Sequence, residues 1–363
     1  MWPVLDHGVI SDQFAFRPSG STTAALVCML HSIYTMFEQG NDYVRCLLVD
    51  YSKAFDTVNH PILLDELGSL GLETPIYNWV ADFLTGRTQA VKIEGKIQNF
   101  VPITRSIVQG SGLGPMLYVI LARTLKTVSE INRIVKYADD TNLLVPHKSD
   151  CCMQTEFDHL VSWSADHKLQ LNKSKTKEII FWRSEKITKK YEIPILPRIE
   201  RVASVKLLGV TLTSLLSWTP HIENVLSICS QRLHLLNQLK YMSLDKLGLT
   251  QVFRALIVSR ILYAMPAFSG LVKKCDKERI DSLFRKAKRW GLTSEDNDFD
   301  LLATLSDSGL MNKVKNPSHC LHPLLPQIQK DSMYNFRARS NKFTKTLIRS
   351  EKLSQTFIFK NTK

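Results

Sequence analysis

Three aspartates carry the most distinctive chemistry in this chain. Asp50 ends the apolar run Val44-Arg45-Cys46-Leu47-Leu48-Val49, a pattern that suits a central strand buried on both faces. A carboxylate buried there is costly unless it is paired or binds a cation. Asp139 and Asp140 stand side by side in Ile134-Val135-Lys136-Tyr137-Ala138-Asp139-Asp140-Thr141, with Leu143-Leu144-Val145 following, so they fall at the tip of a hairpin. Like charges so close repel, which raises a pKa or demands a cation. A divalent ion answers both problems if the two sites meet in space, because hard cations take oxygen ligands and keep positions for water and phosphate. Two such ions could activate an attacking hydroxyl and stabilise a leaving pyrophosphate in an in-line displacement. Each feature alone has a plainer explanation. An Asp-Asp pair is ordinary turn chemistry, and Asp50 could cap the loop after its strand.

The periodicity predicts the elements that position these groups. Apolar positions at helical spacing fill residues 20–39, behind a Ser21-Thr22-Thr23 start and before Gly40. His60-Pro61 opens a helix to about Leu70, and 76–84 reads as another. Residues 89–94 and 98–103 alternate as a hairpin around Gly95; 113–127 and 154–169 read as helices; 133–145 reads as two strands, with single strands at 176–182 and 205–212. From 221 to 290 the pattern is almost entirely helical, with breaks near Ser243, Pro266 and Gly270. Glu295-Asp296-Asn297-Asp298 reads as a linker before a basic, weakly periodic tail. The expected division is a mixed α+β part over 1–215, a helical part over 216–292, and a tail of unassigned structure over 293–363.

The composition, 44% hydrophobic and 22% charged, is that of a globular protein. A net charge of +13 favours a polyanionic partner, with nucleic acid first and an anionic membrane surface second. The seven cysteines (Cys28, Cys46, Cys151, Cys152, Cys229, Cys275 and Cys320) form no CxxC pair, which argues against a disulfide framework or a zinc ribbon. His319, Cys320 and His322 are too closely spaced for a usual zinc site. No apolar run reads as a membrane span, and no secretory signal opens the chain. The expected location is intracellular, in cytoplasm or nucleus, and not secreted.

The order of motifs along the chain resembles the reverse transcriptases of non-LTR retrotransposons over roughly residues 10–290. Asp12-Gln13-Phe14-Ala15-Phe16-Arg17-Pro18 with Ser21-Thr22-Thr23 is similar to the family's fingers motif, and Leu48 to His60 to its motif A. Phe83-Leu84-Thr85-Gly86-Arg87-Thr88-Gln89 resembles the segment that follows. Val108-Gln109-Gly110-Ser111-Gly112-Leu113-Gly114-Pro115 resembles motif B, and Tyr137-Ala138-Asp139-Asp140 is the motif C signature. Leu169 to Thr176 resembles motif D, Leu207-Leu208-Gly209-Val210 motif E, and 221–290 the thumb, including Leu262-Tyr263-Ala264.

The resemblance implies an α+β right-hand polymerase, with fingers and an antiparallel palm sheet followed by an all-α thumb. It implies an RNA-directed DNA polymerase with two Mg²⁺ ions (or Mn²⁺) on Asp50, Asp139 and Asp140, the Tyr51 carbonyl nearby, and an RNA template, a DNA primer and deoxynucleoside triphosphates as partners. Phe55 matches the bulky position that blocks a ribose 2′-hydroxyl, although core packing explains the same residue. Gln109 and Gly110 match the loop that meets nucleotide and template, where glycine lets backbone approach closely. Arg17 matches a fingers position near the triphosphate. Lys175 matches a motif D lysine that could protonate the departing pyrophosphate; a solvated surface lysine is the alternative. Lys274, Lys277, Arg285 and Lys288 fall near one face of a helix, suited to salt-sensitive phosphate contact or to simple solvation. Departures from the family pattern are Ala15 for glycine, Val108 for proline, and Ala122-Arg123-Thr124-Leu125 for Asn-Asp-Leu. Met1-Trp2-Pro3-Val4 leads at once into what reads as mid-domain sequence, so an N-terminal truncation of the fingers is expected. An inactive nucleic-acid-binding remnant is the rival to an active enzyme.

Overall fold

The computed structural model describes residues 10–108, 110–327, 343 and 348–362. Strand β1 (Tyr43–Val49) is buried at nearly every position, as its apolar run predicts. Strands β2 (Arg133–Tyr137) and β3 (Asp140–Pro146) form an antiparallel hairpin with Tyr137 opposite Asp140. With β4 (Lys177–Trp182) and β5 (Glu200–Val202) they make a five-stranded sheet of order β2-β3-β1-β4-β5. That order puts β3, which begins at Asp140, directly beside β1, which ends just before Asp50.

Contacts divide the chain into two compact units that do not follow chain order. One comprises Met1–Gly20, Arg45–Glu178 and Ile193–Arg201; the other Ser21–Val44, Ile179–Glu192 and Val202–Lys363. In the first, helices His60–Gly68, Gly114–Ala122 and Met153–Asp166 bury one core with the sheet, built from Leu47, Val49, Leu63, Leu117, Ile120 and Leu160 among others. A charged network is sealed within this unit. Arg45 Nε donates to Glu178 Oε1 at 2.6 Å and Arg45 Nη1 to Asp150 Oδ1 at 2.9 Å, while Arg201 Nε donates to Glu178 Oε2 at 2.7 Å. The helix expected over 113–127 stops at Ala122. The buried Lys136 ammonium takes the Ala122 and Leu125 carbonyls at 2.9 and 2.5 Å, which satisfies the helix end and stops it there. Burial lowers the Lys136 pKa to about 8, and the ammonium keeps Asp12 beside it at 3.2 Å.

In the second unit, Ser21 caps helix Thr22–Glu38 by accepting from the Ala24 N–H. The single strand expected over 205–212 is a tight hairpin, Ser204–Leu207 against Val210–Thr213, because Leu208 and Gly209 both take left-handed conformations. A Cβ on Gly209 would lie 2.9 Å from the Tyr263 ring, so that tip requires glycine. The Tyr263 hydroxyl donates to the Leu208 carbonyl at 2.8 Å and thereby locks the tip. Contrary to the sequence expectation, Lys246–Leu271 is long and apolar enough to cross a membrane by composition. More than half of it is buried in the protein, and the helix breaks at Tyr263 and Ala264, the latter at φ +55°. The tail also departs from expectation: Phe299–Val314 is a helix whose N-cap, Asp298, accepts from the Leu301 N–H at 2.7 Å.

Candidate active site

The three aspartates lie in the first unit, and the Asp50 charge acts on both of the others. Burial, with the Asp139 and Asp50 charges after it, pushes the Asp140 carboxyl up to about 6. Asp139 is raised by burial first and by Asp50 as well. Residues 89 positions apart in sequence thus share one electrostatic site. Among the described residues, no three His, Cys, Asp or Glu side chains already stand as a metal cluster. The hairpin carboxyls feel the Asp50 charge without the three being gathered into a shell. Their donor chemistry, oxygen only and mutually repelling, fits a hard divalent cation.

Both carboxylate-bearing segments are held by backbone pairing. Residues 170–176 clamp the chain around Asp50: Asn172 N–H donates to the Asp50 carbonyl at 2.8 Å, Ser52 N–H to the Gln170 carbonyl at 2.8 Å, and Asp50 N–H to Thr176 Oγ1 at 3.2 Å. Tyr51 bridges Leu171 and is itself buried. At the hairpin tip Ala138 is left-handed at φ +56°, a conformation that costs a non-glycine residue roughly 1 kcal/mol or more. Residues 12–14 back this tip. Phe14 N–H donates to the Lys136 carbonyl at 2.9 Å, Lys136 N–H to the Asp12 carbonyl at 2.7 Å, and the Gln13 side chain bonds both backbone groups of Ala138.

Phe55 is half-buried with its ring stacked on Tyr118 (centroids 4.5 Å, planes 28° apart) and edge-on to Phe16 at 6.4 Å. Tyr118 is fully buried; its phenol pKa is pushed well up by burial, then by Tyr51, Asp139 and Asp140, so it faces the carboxylates as a neutral phenol. Gly110 is left-handed at φ +83°, and a Cβ there would meet nothing within 4 Å, leaving open space on that side. Gln109 lies outside the described residues. Ser111 Oγ accepts from Gly114 N–H at 3.0 Å and starts the helix behind this loop.

Two sequence expectations are corrected by contacts. Arg17 is buried, and its Nη1 donates to the Ile10 and Gln13 carbonyls at 2.9 and 3.1 Å, so it clasps its own loop and does not reach outward for a triphosphate. The four cations of helix Lys274–Arg289 do not form one open face. Lys277 donates to Asp300 at 2.7 Å, Lys288, itself exposed, pairs with Asp296, and Lys274 lies 4.0 Å from Glu278, whereas Arg285 is exposed. Lys175 is exposed at the end of a turn in which its N–H donates to Asn172. Sequence reading assigned no role to Gln13 or Tyr118. The available signals were a polar residue inside Phe14's apolar neighbourhood and a single hydroxyl in the apolar helix Gly114–Ala122.

A family model described as "Reverse transcriptase (RNA-dependent DNA polymerase)" matches residues 3–212. The chain belongs to the reverse transcriptase family. The "RNA-directed DNA polymerase from mobile element jockey" of Drosophila melanogaster is 26% identical over 310 residues, covering 80% of this chain and 33% of that protein. The "Probable RNA-directed DNA polymerase from transposon BS" of the same species is 26% identical over 302 residues, covering 76% and 32%. The chain thus spans about a third of the length of the curated relatives it matches. A telomerase structure from Candida tropicalis with a fragment of telomeric RNA aligns over 86% of this chain and 52% of its own at 10% identity and a TM-score of 0.46. The reverse transcriptase match covers all three aspartates, and the mixed helix-and-sheet architecture with its antiparallel hairpin is the one that the motif order implied.

Proposed function

We propose that this reverse transcriptase chain extends a DNA primer on an RNA template, with Asp50, Asp139 and Asp140 holding two divalent ions. The observation that carries the reading is the strand order that sets β3, beginning at Asp140, beside β1, ending just before Asp50, with the Asp50 charge adding to burial in raising both Asp139 and Asp140. Bound there, the divalent ions supply a polarised primer 3′-hydroxyl and a neutralised leaving pyrophosphate. The chain's own residues do the rest. The 170–176 clamp fixes Asp50, and the backing of residues 12–14 fixes the hairpin, so the carboxylates are presented on rigid backbone. Phe55, braced by Tyr118 and Phe16, forms a wall beside the sugar that excludes a 2′-hydroxyl. Gly110 lets backbone approach the nucleotide. Lys175 stands exposed as a proton donor for pyrophosphate, and Lys274 and Arg285 as phosphate contacts. Seven free cysteines support an intracellular placement.

Primer extension on poly(rA)/oligo(dT) with dTTP and Mg²⁺ tests this. Extension by the chain, lost in Asp139→Asn, is expected. Salt-sensitive binding without any extension would instead favour a nucleic-acid-binding remnant.

A further inference from the structure

Gln13 is 2% exposed and its amide makes four hydrogen bonds, two to the carboxylate hairpin and two within its own loop. Oε1 accepts from the N–H groups of Ala138 (2.9 Å), Ala15 (2.9 Å) and Phe14 (3.1 Å), and Nε2 donates to the Ala138 carbonyl at 3.3 Å. Three donors at one end and a carbonyl at the other fix the orientation of the amide. Ala138 is the residue immediately before Asp139, and it is the left-handed, strained position of a two-residue turn. Both of its backbone groups face a single buried side chain, because the turn leaves them without a partner in the ladder. A strained conformation persists only where its surroundings over-determine it. The loop that carries Gln13 is itself tied down, by Arg17 on the Ile10 and Gln13 carbonyls and by Gly20, where a Cβ would sit 2.3 Å from the Phe14 carbonyl oxygen.

We propose that Gln13 is a positioning residue that holds the Ala138 turn in its strained form and so sets where Asp139 and Asp140 present their carboxylates. This rests on the polymerase reading of that hairpin. Gln13 touches no substrate in this role; it acts through the backbone of residue 138. The consequence is a specific coupling. Glycine at 138 adopts the left-handed form without strain, so the clamp should matter far less in an Ala138→Gly background.

The test compares wild type, Gln13→Met, Ala138→Gly and the double variant by Mn²⁺ titration, by amide hydrogen exchange at residue 138, and by extension kinetics. Gln13→Met should melt cooperatively, lose protection at Ala138, and bind Mn²⁺ about 10-fold more weakly, the size expected when a partner of a metal ligand is removed. Its kcat should fall with the KM for nucleotide little changed. Ala138→Gly combined with Gln13→Met should restore most of the Mn²⁺ affinity. Should Gln13→Met fail to fold, Gln13→Glu replaces it: it keeps the three accepted N–H bonds and sets a carboxylate oxygen against the Ala138 carbonyl in place of the donated N–H. It should lower kcat, with Ala138→Gly restoring it. Wild-type Mn²⁺ affinity in Gln13→Met, or an equal loss with and without Ala138→Gly, would overturn the proposal and leave the polymerase reading standing. A wild-type chain that neither binds Mn²⁺ nor extends a primer would overturn both.

Discussion

Phe55 owes its position to two aromatic neighbours, Tyr118 stacked on one face and Phe16 against an edge. In the proposed role this braced wall excludes a ribose 2′-hydroxyl, and shortening it should open the site. Phe55→Val is expected to raise kcat/KM for a ribonucleotide relative to its deoxynucleotide by about 10-fold or more, within the range that pocket shape confers. Single-nucleotide incorporation measures this; unchanged discrimination would return Phe55 to simple core packing. Asp140 offers a second test, through stability. Its folded pKa of about 6 lies above the ordinary carboxylate value, so the native state binds more protons between about pH 4 and pH 6. Stability from this group is therefore present at low pH and is lost as pH rises through about 6. In the metal-free chain at pH 7.5, Asp140→Asn should raise the melting temperature by about 2 °C. The advantage should vanish at pH 4, and Mn²⁺ should stabilise the wild type more than the variant.

At the scale of elements, the β2–β3 hairpin and β1 were legible because alternation and a continuous apolar run are local signals. What holds those strands was not. Arg45 interrupts the apolar run without exposing the strand, since Glu178 and Asp150 receive it from segments more than 100 residues away in sequence. No local pattern announces such a pairing. Glu178→Ala leaves Arg45 and Arg201 short of a buried partner and should cost about 3–5 kcal/mol in chemical denaturation. A variant within 1 kcal/mol of wild type, on the scale of a surface pair, would deny the network that role. The helix Phe299–Val314 escaped notice for the opposite reason. Its apolar residues are not confined to one face, and Asp298 looked like part of an acidic linker, although it is the N-cap.

Across the whole molecule, a charge of +13 predicts affinity for a polyanion, but the structure redistributes which cations are available. Sequence spacing grouped Lys274, Lys277, Arg285 and Lys288 on one helix, and the helix exists. Spacing could not foresee that the chain returns after residue 291 and brings Asp296 and Asp300 to two of them. Arg285→Ala should therefore lower the slope of log K against log salt for a primer–template by about 1, and Lys277→Ala by less. Motif order made the family and the three aspartates legible; the buried fate of Arg17 and the clamp of Gln13 depend on loop packing that only coordinates reveal. The account stands or falls on one divalent-ion site shared by Asp50 and the hairpin. The most direct measurement is an anomalous difference map from crystals of the chain with primer–template, dTTP and Mn²⁺. The expected result is manganese density between the carboxylates of Asp50 and Asp139. Manganese bound elsewhere, with these carboxylates empty, would contradict it.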